Sequence, residues 1–256
     1  MKIATWNVNS VKARLGHVLA WLEEAKPDVL CLQEIKCVDA DFPTLEVKGL
    51  GYHVETLGQR TYNGVALLSR EPARDIVRGL AGDDSDQQAR YIEASFGALR
   101  VASIYLPNGN PVGTDKFDYK LAWMRRLETH ARALLDGERP CVLAGDYNVA
   151  PTDDDVFDPV EFGNDAICRP ESRARFRVLL NLGLVDAFRV FHPEPHRYSF
   201  WDYQNNRWKN DEGLRIDHLL LTPQAADRLV AADIDRGPRG RDKASDHTPV
   251  WCEVAA

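Results

Sequence analysis

A carboxylate and a carboxamide stand two residues apart in the segment Gly145-Asp146-Tyr147-Asn148. The run 141–144 before them is apolar and uninterrupted, which is typical of a strand buried on both faces. A charged group directly after a buried strand is costly unless it has a partner. Gly145 lets the backbone turn, so both side chains can point the same way at the strand end, where α/β proteins place their sites. Taken alone, the segment is also typical of a simple turn.

Polar side chains recur in the same way at six strand-like segments of the chain. The set is Asn7, Glu34, Tyr105 with Asn108, Asp146 with Asn148, Asp217, and Asp246 with His247. Each group is weak evidence by itself. Their repetition along the whole chain predicts that they converge on one pocket.

These groups are oxygen donors together with one imidazole. Carboxylates and carboxamides suit a hard cation such as Mg²⁺ or Mn²⁺ rather than zinc. Glu34 and Asn7 would suffice for Mg²⁺, because that ion keeps several waters. Asp246 and His247 form a candidate dyad, whose ring would stabilise a phosphorane-like transition state when charged and act as a base when neutral. The alternative is that His247 only belongs to a capped turn.

A covalent enzyme intermediate is not expected. The chain has no serine or cysteine in a recognisable nucleophile elbow. We therefore expect direct attack by water.

The elements that must carry these groups are many strands with few helices between them. Strand-like runs lie at 2–7, 28–34, 90–96, 100–106, 197–203 and 214–221. Helical patterns lie at 115–135 and 171–182. A strictly alternating parallel sheet would need more helices, so we predict an α/β body with mixed sheets. No linker or change of composition marks a boundary, which predicts a single domain over residues 1–256.

Composition and cysteine usage point to the cytoplasm. Hydrophobic residues make up 44% and charged residues 28% of the chain, as in ordinary soluble globular proteins. No apolar run is long enough to span a membrane, and Asn7 comes too early for a signal peptide. Cys31, Cys141 and Cys252 lie in apolar runs and indicate buried thiols rather than disulfides. We expect a cytoplasmic protein and, by default, a monomer.

The net charge of −7 speaks mildly against a nucleic-acid partner. Carboxylates that hold a metal ion lower this total, however, while the ion restores positive charge locally. Basic residues cluster within 116–126, 169–177 and 236–243. These clusters are either phosphate-contacting patches or solvated surfaces, and the composition leaves both open.

Six segments match a known family in order and spacing. They are TWNVNS at 5–10, LQEIK at 32–36, YLPNG at 105–109, GDYNVAP at 145–151, LRIDH at 214–218 and SDHTPV at 245–250. The chain thereby resembles, over essentially its whole length, the exonuclease III group of abasic-site endonucleases in the endonuclease/exonuclease/phosphatase superfamily. The resemblance implies a DNase I-like four-layer α/β sandwich, with two mixed β-sheets packed face to face and helices outside.

The resemblance also implies an activity. It is that of a Mg²⁺-dependent phosphodiester hydrolase of base-excision repair, with Mn²⁺ as an alternative ion. Such an enzyme cleaves double-stranded DNA 5′ to an abasic site, leaves a 3′-hydroxyl, and trims 3′ ends as an exonuclease. The balance of these activities, the number of metal ions, the general base and the repair partners stay open.

Residue roles carry over from the matching motifs. Glu34 is implied to be the main metal ligand, with Asn7 nearby. Asp146 is implied to position or deprotonate the attacking water, supported by Asn148. The wider set implied around the metal is Asn7, Glu34, Asp146, Asn148, Asp246 and His247.

The remaining roles concern the phosphate and the site around it. Tyr105 and Asn108 are implied to contact the phosphate or help to organise the nucleophile. Asp217 is implied to help hold the site together. If the site binds a second metal ion, Asp217 is implied to lie around that ion. His247, oriented by Asp246, is implied to bind the scissile phosphate oxygen.

A pocket for the abasic sugar is implied at Phe200, Trp201, Leu214 and Ile216. A compact apolar pocket accepts a flipped sugar and excludes an intact base. Some relatives have tryptophan where this chain has Leu214, which predicts a roomier or less strongly stacking pocket here. Phe200 and Trp201 are adjacent on an expected strand, so one of them must face the core.

Three alternatives remain beside abasic-site cleavage. One is another phosphoesterase of the superfamily, such as an inositol-phosphate or lipid phosphatase. Another is an exonuclease specialist with weak abasic-site activity. A catalytically inactive DNA-binding module would lack at least one of the polar site residues, and none of those that align is missing.

Overall fold

The computed structural model describes residues 1–255, and twelve strands and seven helices lie within them. The strands are β1 (Lys2–Asn7), β2 (Val29–Gln33), β3 (His53–Leu57), β4 (Val65–Ser69), β5 (Arg74–Arg78), β6 (Tyr91–Phe96), β7 (Leu99–Tyr105), β8 (Cys141–Asp146), β9 (Val185–Asp186), β10 (Asp217–Leu221), β11 (Leu229–Ile234) and β12 (Val250–Val254). The helices are α1 (Leu15–Ala25), α2 (Thr44–Gly49), α3 (Asp115–Asp136), α4 (Pro170–Asn181), α5 (Ala187–Phe191), α6 (Arg207–Asn210) and α7 (Pro223–Ala226). The two long helices predicted from the sequence correspond to α3 and α4. None of the described helices is long and apolar enough to cross a bilayer.

The strands form two six-stranded mixed sheets. The first has the order β11-β12-β1-β2-β4-β3, and the second has the order β5-β6-β7-β8-β10-β9. Within these sheets β1 pairs with β2, and β7 with β8, in parallel, whereas the other pairs are antiparallel. The expected mixed sheets are confirmed.

Alternating side chains of the central strands separate an inner core from two outer cores. In β1, Ile3 belongs to the core shared by both sheets, whereas Ala4 belongs to the core under α1. In β8, Val142 faces the shared core and Leu143 faces α3 and α4. This gives helix, sheet, sheet and helix layers, which is the predicted four-layer sandwich.

Gly145 serves a close contact between strands rather than a turn. The sequence predicted that the strand would end at residue 144, but β8 continues through Gly145 to Asp146. A Cβ at position 145 would lie 2.0 Å from the carbonyl oxygen of Ile104 in β7. A side chain there would push the two parallel strands apart, so glycine is required for their pairing.

The segment 197–203 is not the strand that the sequence predicted. Phe200 donates its backbone N–H to Leu214, whereas Trp201 donates to Asp246. Because successive bonds go to different neighbours, the segment forms isolated bridges of Phe200 with Leu214 and with His247 instead of a ladder.

The described cysteines, all five of the chain, are free and buried. This confirms the expectation of buried thiols without disulfides.

Candidate active site

The ends of strands from both sheets meet at one edge of the sandwich. Asn7, Tyr105 and Asp146 are the last residues of β1, β7 and β8, and Glu34 follows β2 directly. Asp217 begins β10, which runs antiparallel to β8 and pairs Asp217 directly with Asp146. The predicted convergence of these groups is therefore present in the structure.

A buried line of carboxylate, imidazole and carboxylate forms the centre of the site. His247 Nδ1 lies 2.9 Å from Asp217 Oδ2, and its Nε2 lies 3.8 Å from Asp146 Oδ2. Asp146 and Asp217 are each 1% exposed and His247 is 4% exposed. The shorter separation is a hydrogen bond, whereas the longer one exceeds hydrogen-bond range and leaves Nε2 available to a third group.

Burial and neighbouring charge set the protonation of this line. Burial alone would lower the pKa of His247, but the Asp217 and Asp146 carboxylates outweigh it and raise that pKa above its ordinary value. Burial raises the pKa of Asp146, with Asp217 adding to the effect and His247 opposing it. The ring is therefore a cation at neutral pH, beside a carboxylate with an increased affinity for protons.

Asp217, not Asp246, orients His247. The sequence paired His247 with its neighbour Asp246, and that pairing is wrong. Asp246 Oδ1 instead accepts from Asn9 Nδ2 at 3.1 Å and from the Ser245 hydroxyl at 3.3 Å. Adjacent side chains in an extended segment point in different directions, so the neighbour in sequence is not the neighbour of the ring.

Glu34 is held by three donors. Its Oε1 accepts from Asn7 Nδ2 at 2.9 Å and from the Tyr105 hydroxyl at 2.7 Å, and its Oε2 pairs with Lys36 Nζ at 2.8 Å. Burial disfavours the ionised carboxylate, but the bonds from Asn7 and Lys36 prevail and lower the pKa of Glu34. Glu34 is consequently ionised at neutral pH.

Tyr105 is a neutral donor rather than a phenolate. Burial raises the pKa of its hydroxyl well above the ordinary value, and the charges of Glu34 and Asp146 add to that effect. Its proton is committed to Glu34. Two roles were predicted for Tyr105, namely contacting the phosphate or helping to organise the nucleophile. The bond to Glu34 favours the second role.

Asn7 links the two sheets across the site. Its Nδ2 donates both to Glu34 Oε1 and to Asp146 Oδ2, each at 2.9 Å. The backbone N–H of Asn9 donates to Asn7 Oδ1 at 3.0 Å, which orients the amide. One carboxamide thus fixes the relative position of two carboxylates that belong to different sheets.

Asn108 and Asn148 form a second polar pair on the side of the second sheet. Asn108 is exposed, and its Nδ2 donates to Asn148 Oδ1 at 3.0 Å. Asn148 Nδ2 donates to the Leu106 carbonyl, and its backbone N–H donates to Asp146 Oδ1, both at 2.9 Å. Asn148 therefore steadies Asp146, while Asn108 remains reachable from solvent.

The four residues implied for the sugar pocket do not share one environment. Phe200 is partly exposed, and its ring centroid lies 4.9 Å from that of His247. Leu214 and Ile216 are each 1% exposed and pack behind it in a small apolar cluster. Trp201 is fully buried against Trp208, at 4.8 Å between ring centroids, so it is the core member of the Phe200–Trp201 pair.

Two polar residues of the site were missed by the sequence reasoning. The Ser199 hydroxyl donates to Asp217 Oδ2 at 2.6 Å and accepts the backbone N–H of Asp217 at 3.2 Å. Ser199 lies between the aromatic residues Tyr198 and Phe200, and the sequence predicted roles only for aromatic residues of this segment. Lys36 pairs with Glu34, and its position two residues after Glu34 in LQEIK was the signal for it.

The donor set fits a divalent cation. Asp146, Asp217 and His247 offer ligand atoms that all lie within 4.8 Å of one another. A protonated ring bonded to Asp217 is a poor ligand, however, and hard cations prefer oxygen. The ionised Glu34 carboxylate beside the Asn7 carboxamide is therefore the better place for such an ion.

The protein belongs to the endonuclease/exonuclease/phosphatase family, whose profile matches residues 4–247. The resemblance drawn from the six motifs is confirmed. Exodeoxyribonuclease III of Haemophilus influenzae is 35% identical over 269 aligned residues, which cover 99% of each chain.

Solved structures show similarity to enzymes with different named activities. An AP endonuclease from Archaeoglobus fulgidus is 37% identical with a TM-score of 0.96, and the match covers 100% of both chains. A 3′ phosphatase from Neisseria, solved with a product DNA hairpin, is 38% identical with a TM-score of 0.97, again over 100% of both chains. The near-equal identities leave the choice between the two activities to the site itself.

Proposed function

We propose that this protein is a metal-dependent DNA phosphodiesterase that cleaves the backbone 5′ to an abasic site and leaves a 3′-hydroxyl. It would also trim 3′ ends of duplex DNA. The observation that carries the proposal is the buried line of Asp146, His247 and Asp217 beside the Glu34–Asn7 pair. The relative named exodeoxyribonuclease III and the 3′ phosphatase solved with a product DNA hairpin support the choice of DNA as substrate.

Asp146 is the group that positions and deprotonates the attacking water. Its carboxylate is oriented by Asn7 and by the backbone N–H of Asn148. A base works best when its pKa is near the working pH, and burial moves the pKa of Asp146 upward in that direction. The water then attacks phosphorus directly, in line with the leaving 3′ oxygen.

His247 stabilises the charge that develops on the phosphate. With Nδ1–H donated to Asp217, the ring presents Nε2–H to a non-bridging phosphate oxygen. A preorganised cation in a buried site stabilises such charge more strongly than it would in water. Asn108 is exposed at the rim of the site. Its side-chain amide donates either to the phosphate or to Asn148.

Glu34 and Asn7 would hold a divalent cation, with Mg²⁺ as the first candidate and Mn²⁺ as the alternative. When bound there, such an ion would supply positive charge against the phosphate and the reacting oxygens. Several carboxylates face this region, including Glu34, Asp146 and Asp217, and the nearby cations are Lys36 and His247. The excess of negative charge supports a cation at this place.

Phe200 is the residue that recognises the damaged nucleotide. It lies beside the His247 ring at the open side of the site, with Leu214 and Ile216 behind it. An abasic sugar fits against this apolar surface, whereas an intact base requires more space. We propose that this difference in size selects abasic sites, with a weaker stacking contribution because leucine stands at position 214.

The alternative with specific support is an enzyme specialised in 3′ ends. The chain is 38% identical to a 3′ phosphatase, which supports this alternative. It is 37% identical to an AP endonuclease, which supports abasic-site cleavage to the same degree. An inositol-phosphate or lipid phosphatase has less support, since these relatives are named for DNA. A single domain over residues 1–256, a cytoplasmic location and a monomeric state complete the proposal.

The test compares three duplexes, carrying one abasic site, a 3′-phosphate or an undamaged recessed end. Each is incubated with Mg²⁺ and, separately, with a chelator. Mg²⁺-dependent incision at the abasic site that exceeds trimming of the undamaged end is the expected result. If the enzyme processes the 3′ ends but does not incise the abasic site, the protein is the 3′-end specialist and the proposed abasic endonuclease activity is wrong. Inactivity on all three duplexes would contradict a DNA substrate.

A further inference from the structure

Lys120 on α3 is fully buried, with a relative exposure of 0%. A buried ammonium is costly unless its protons are satisfied. Within residues 1–255 no carboxylate forms an ion pair with it, and burial lowers the pKa of Lys120 below its ordinary value. A lysine kept in such a place requires a structural reason other than charge pairing.

The three donors of Lys120 are used by three backbone carbonyls. Nζ donates to the carbonyl of Asn148 at 2.6 Å, to that of Asn108 at 2.9 Å and to that of Ala166 at 3.2 Å. An ammonium has three N–H donors, so this set is complete. The Asn108 carbonyl belongs to the loop between β7 and α3, whereas the Asn148 and Ala166 carbonyls lie near the two ends of the connection between β8 and α4. Lys120 therefore ties two loops to one helix.

Each of these two loops carries a carboxamide of the proposed site. Asn108 donates to Asn148 through their side chains at 3.0 Å, and the backbone N–H of Asn148 donates to Asp146 at 2.9 Å. Asn148 has a left-handed backbone with φ of 48°, a conformation that asparagine adopts more readily than other non-glycine residues. The Lys120 bond to the Asn148 carbonyl fixes the peptide that follows this turn.

The loop after β7 is shaped to the stem of the lysine. Gly109 has φ of 89°, and a Cβ at that position would lie 2.6 Å from Lys120 Cδ. The backbone of this loop thus packs directly on the side chain. A change in the length or shape of residue 120 would move Asn108 as well as Asn148.

We propose that Lys120 is a positioning residue of the active site, which fixes the Asn108 and Asn148 carboxamides through their backbone carbonyls. The expected effect on kcat rests on the proposed phosphodiesterase function. The expected position of the Asn148 carboxamide does not depend on the substrate. Lys120 does not contact the reacting groups, and it acts through Asn148 on Asp146.

The kinetic test uses Lys120→Met and Lys120→Arg with Leu127→Ala as the matched control. Leu127 is also fully buried, two turns further along α3, and packs in the outer core without a polar contact to the site. We expect each Lys120 variant to lower kcat on the abasic duplex, by about a hundredfold for Lys120→Met, with KM little changed, because misplaced groups lose rate rather than binding. Leu127→Ala should lose thermal stability and keep its kcat at temperatures where it is folded.

An NMR measurement tests the position of Asn148 without a substrate. Its result does not depend on how much of each variant is lost through misfolding. In protein labelled with ¹⁵N-asparagine, the side-chain amide signal of Asn148 is assigned by its absence in Asn148→Asp. We expect it to shift in Lys120→Arg, which keeps the charge and changes the donor geometry, and to stay in place in Leu127→Ala.

The two proposals fail in different ways. Wild-type kcat in a folded Lys120 variant, or an unshifted Asn148 signal in Lys120→Arg, would overturn the positioning role. A wild-type protein that is inactive on every DNA, with the Asn148 signal still shifted in Lys120→Arg, would overturn the proposed function and support the positioning of Asn148.

Discussion

Nδ1 of His247 and the Ser199 hydroxyl meet the same oxygen of Asp217, at 2.9 Å and 2.6 Å. The second bond holds the carboxylate in place, so that it faces the ring. Asp217 therefore does two things for His247, since it orients the imidazole and stabilises its charge. The site depends on a contact between residues 30 positions apart in the chain.

Replacing Asp217 should cost more activity than replacing Asp246. A hydrogen bond to a charged group is worth about 1.5–3 kcal/mol, so Asp217→Asn should lower turnover about ten- to a hundredfold. Asp246→Asn removes the negative charge but keeps an acceptor oxygen for Asn9 and Ser245, so it should have a smaller effect. Steady-state kinetics of the two variants on the abasic duplex provide the measurement. A larger loss in Asp246→Asn would restore the pairing that the sequence favoured.

Phe200 and Trp201 should respond to alanine in opposite ways. Phe200→Ala removes a partly exposed ring beside His247, so abasic incision should fall while the unfolding midpoint changes little. Trp201→Ala removes a fully buried ring and should lower the free energy of unfolding by about 3–5 kcal/mol. Urea unfolding and incision rates measured on both variants check this. Equal losses of stability in the two variants would show that both rings are core.

The strand ends and their polar groups could be predicted because the signal is local. An apolar run followed by Asp146, or by Glu34, shows both the strand and the side chain that it presents. The parallel and antiparallel pairings then bring such ends to one edge. The four layers, by contrast, followed from the resemblance, because strand order depends on contacts far apart in the sequence.

The partner of His247 could not be predicted in this way. Asp246 is its neighbour in the chain, but the direction of adjacent side chains depends on how β12 enters the first sheet. Ser199 was missed for a related reason, since its bond goes to a residue far away in sequence. Lys120 was assigned to a basic cluster that contacts phosphate or solvent, which is wrong for this residue because it is buried and bonded to backbone carbonyls. Gly145 was correctly singled out, but its task is close strand pairing rather than a turn.

Binding to DNA should weaken steeply as salt rises. Phosphate contacts release counterions, so the logarithm of the binding constant should fall linearly with the logarithm of the salt concentration. The net charge of −7 makes this a demanding test, because the chain as a whole repels DNA. Fluorescence anisotropy with a labelled abasic duplex provides the measurement. A flat response between low and physiological salt would count against a DNA substrate.

Glu93 should contribute to stability above its unfolded pKa and lose that contribution in acid. Burial disfavours its charge, but hydrogen bonds from His130 at 3.2 Å and Arg100 at 2.6 Å prevail and lower its pKa from 4.5 to about 2. Because the folded pKa is the lower one, the unfolded state binds more protons as the pH falls below 4.5. The contribution of about 3 kcal/mol is then lost progressively toward pH 2.

Glu93→Gln removes the titrating group and keeps most of the side-chain shape. Urea unfolding of the wild type should lose stability more steeply than Glu93→Gln as the pH falls below 4.5. Parallel pH profiles of the two proteins would contradict the assigned ionisation of Glu93.

The most direct test of the account is the turnover and DNA affinity of Asp146→Asn. The variant keeps the size of the buried side chain and removes its ability to accept a proton from water. We expect turnover on the abasic duplex to fall by at least about a hundredfold, the scale of a lost general base, while the affinity for the duplex is kept. Asp136→Asn, at the exposed end of α3, should behave like the wild type. Unchanged turnover of Asp146→Asn would contradict the role of this residue as the group that activates water.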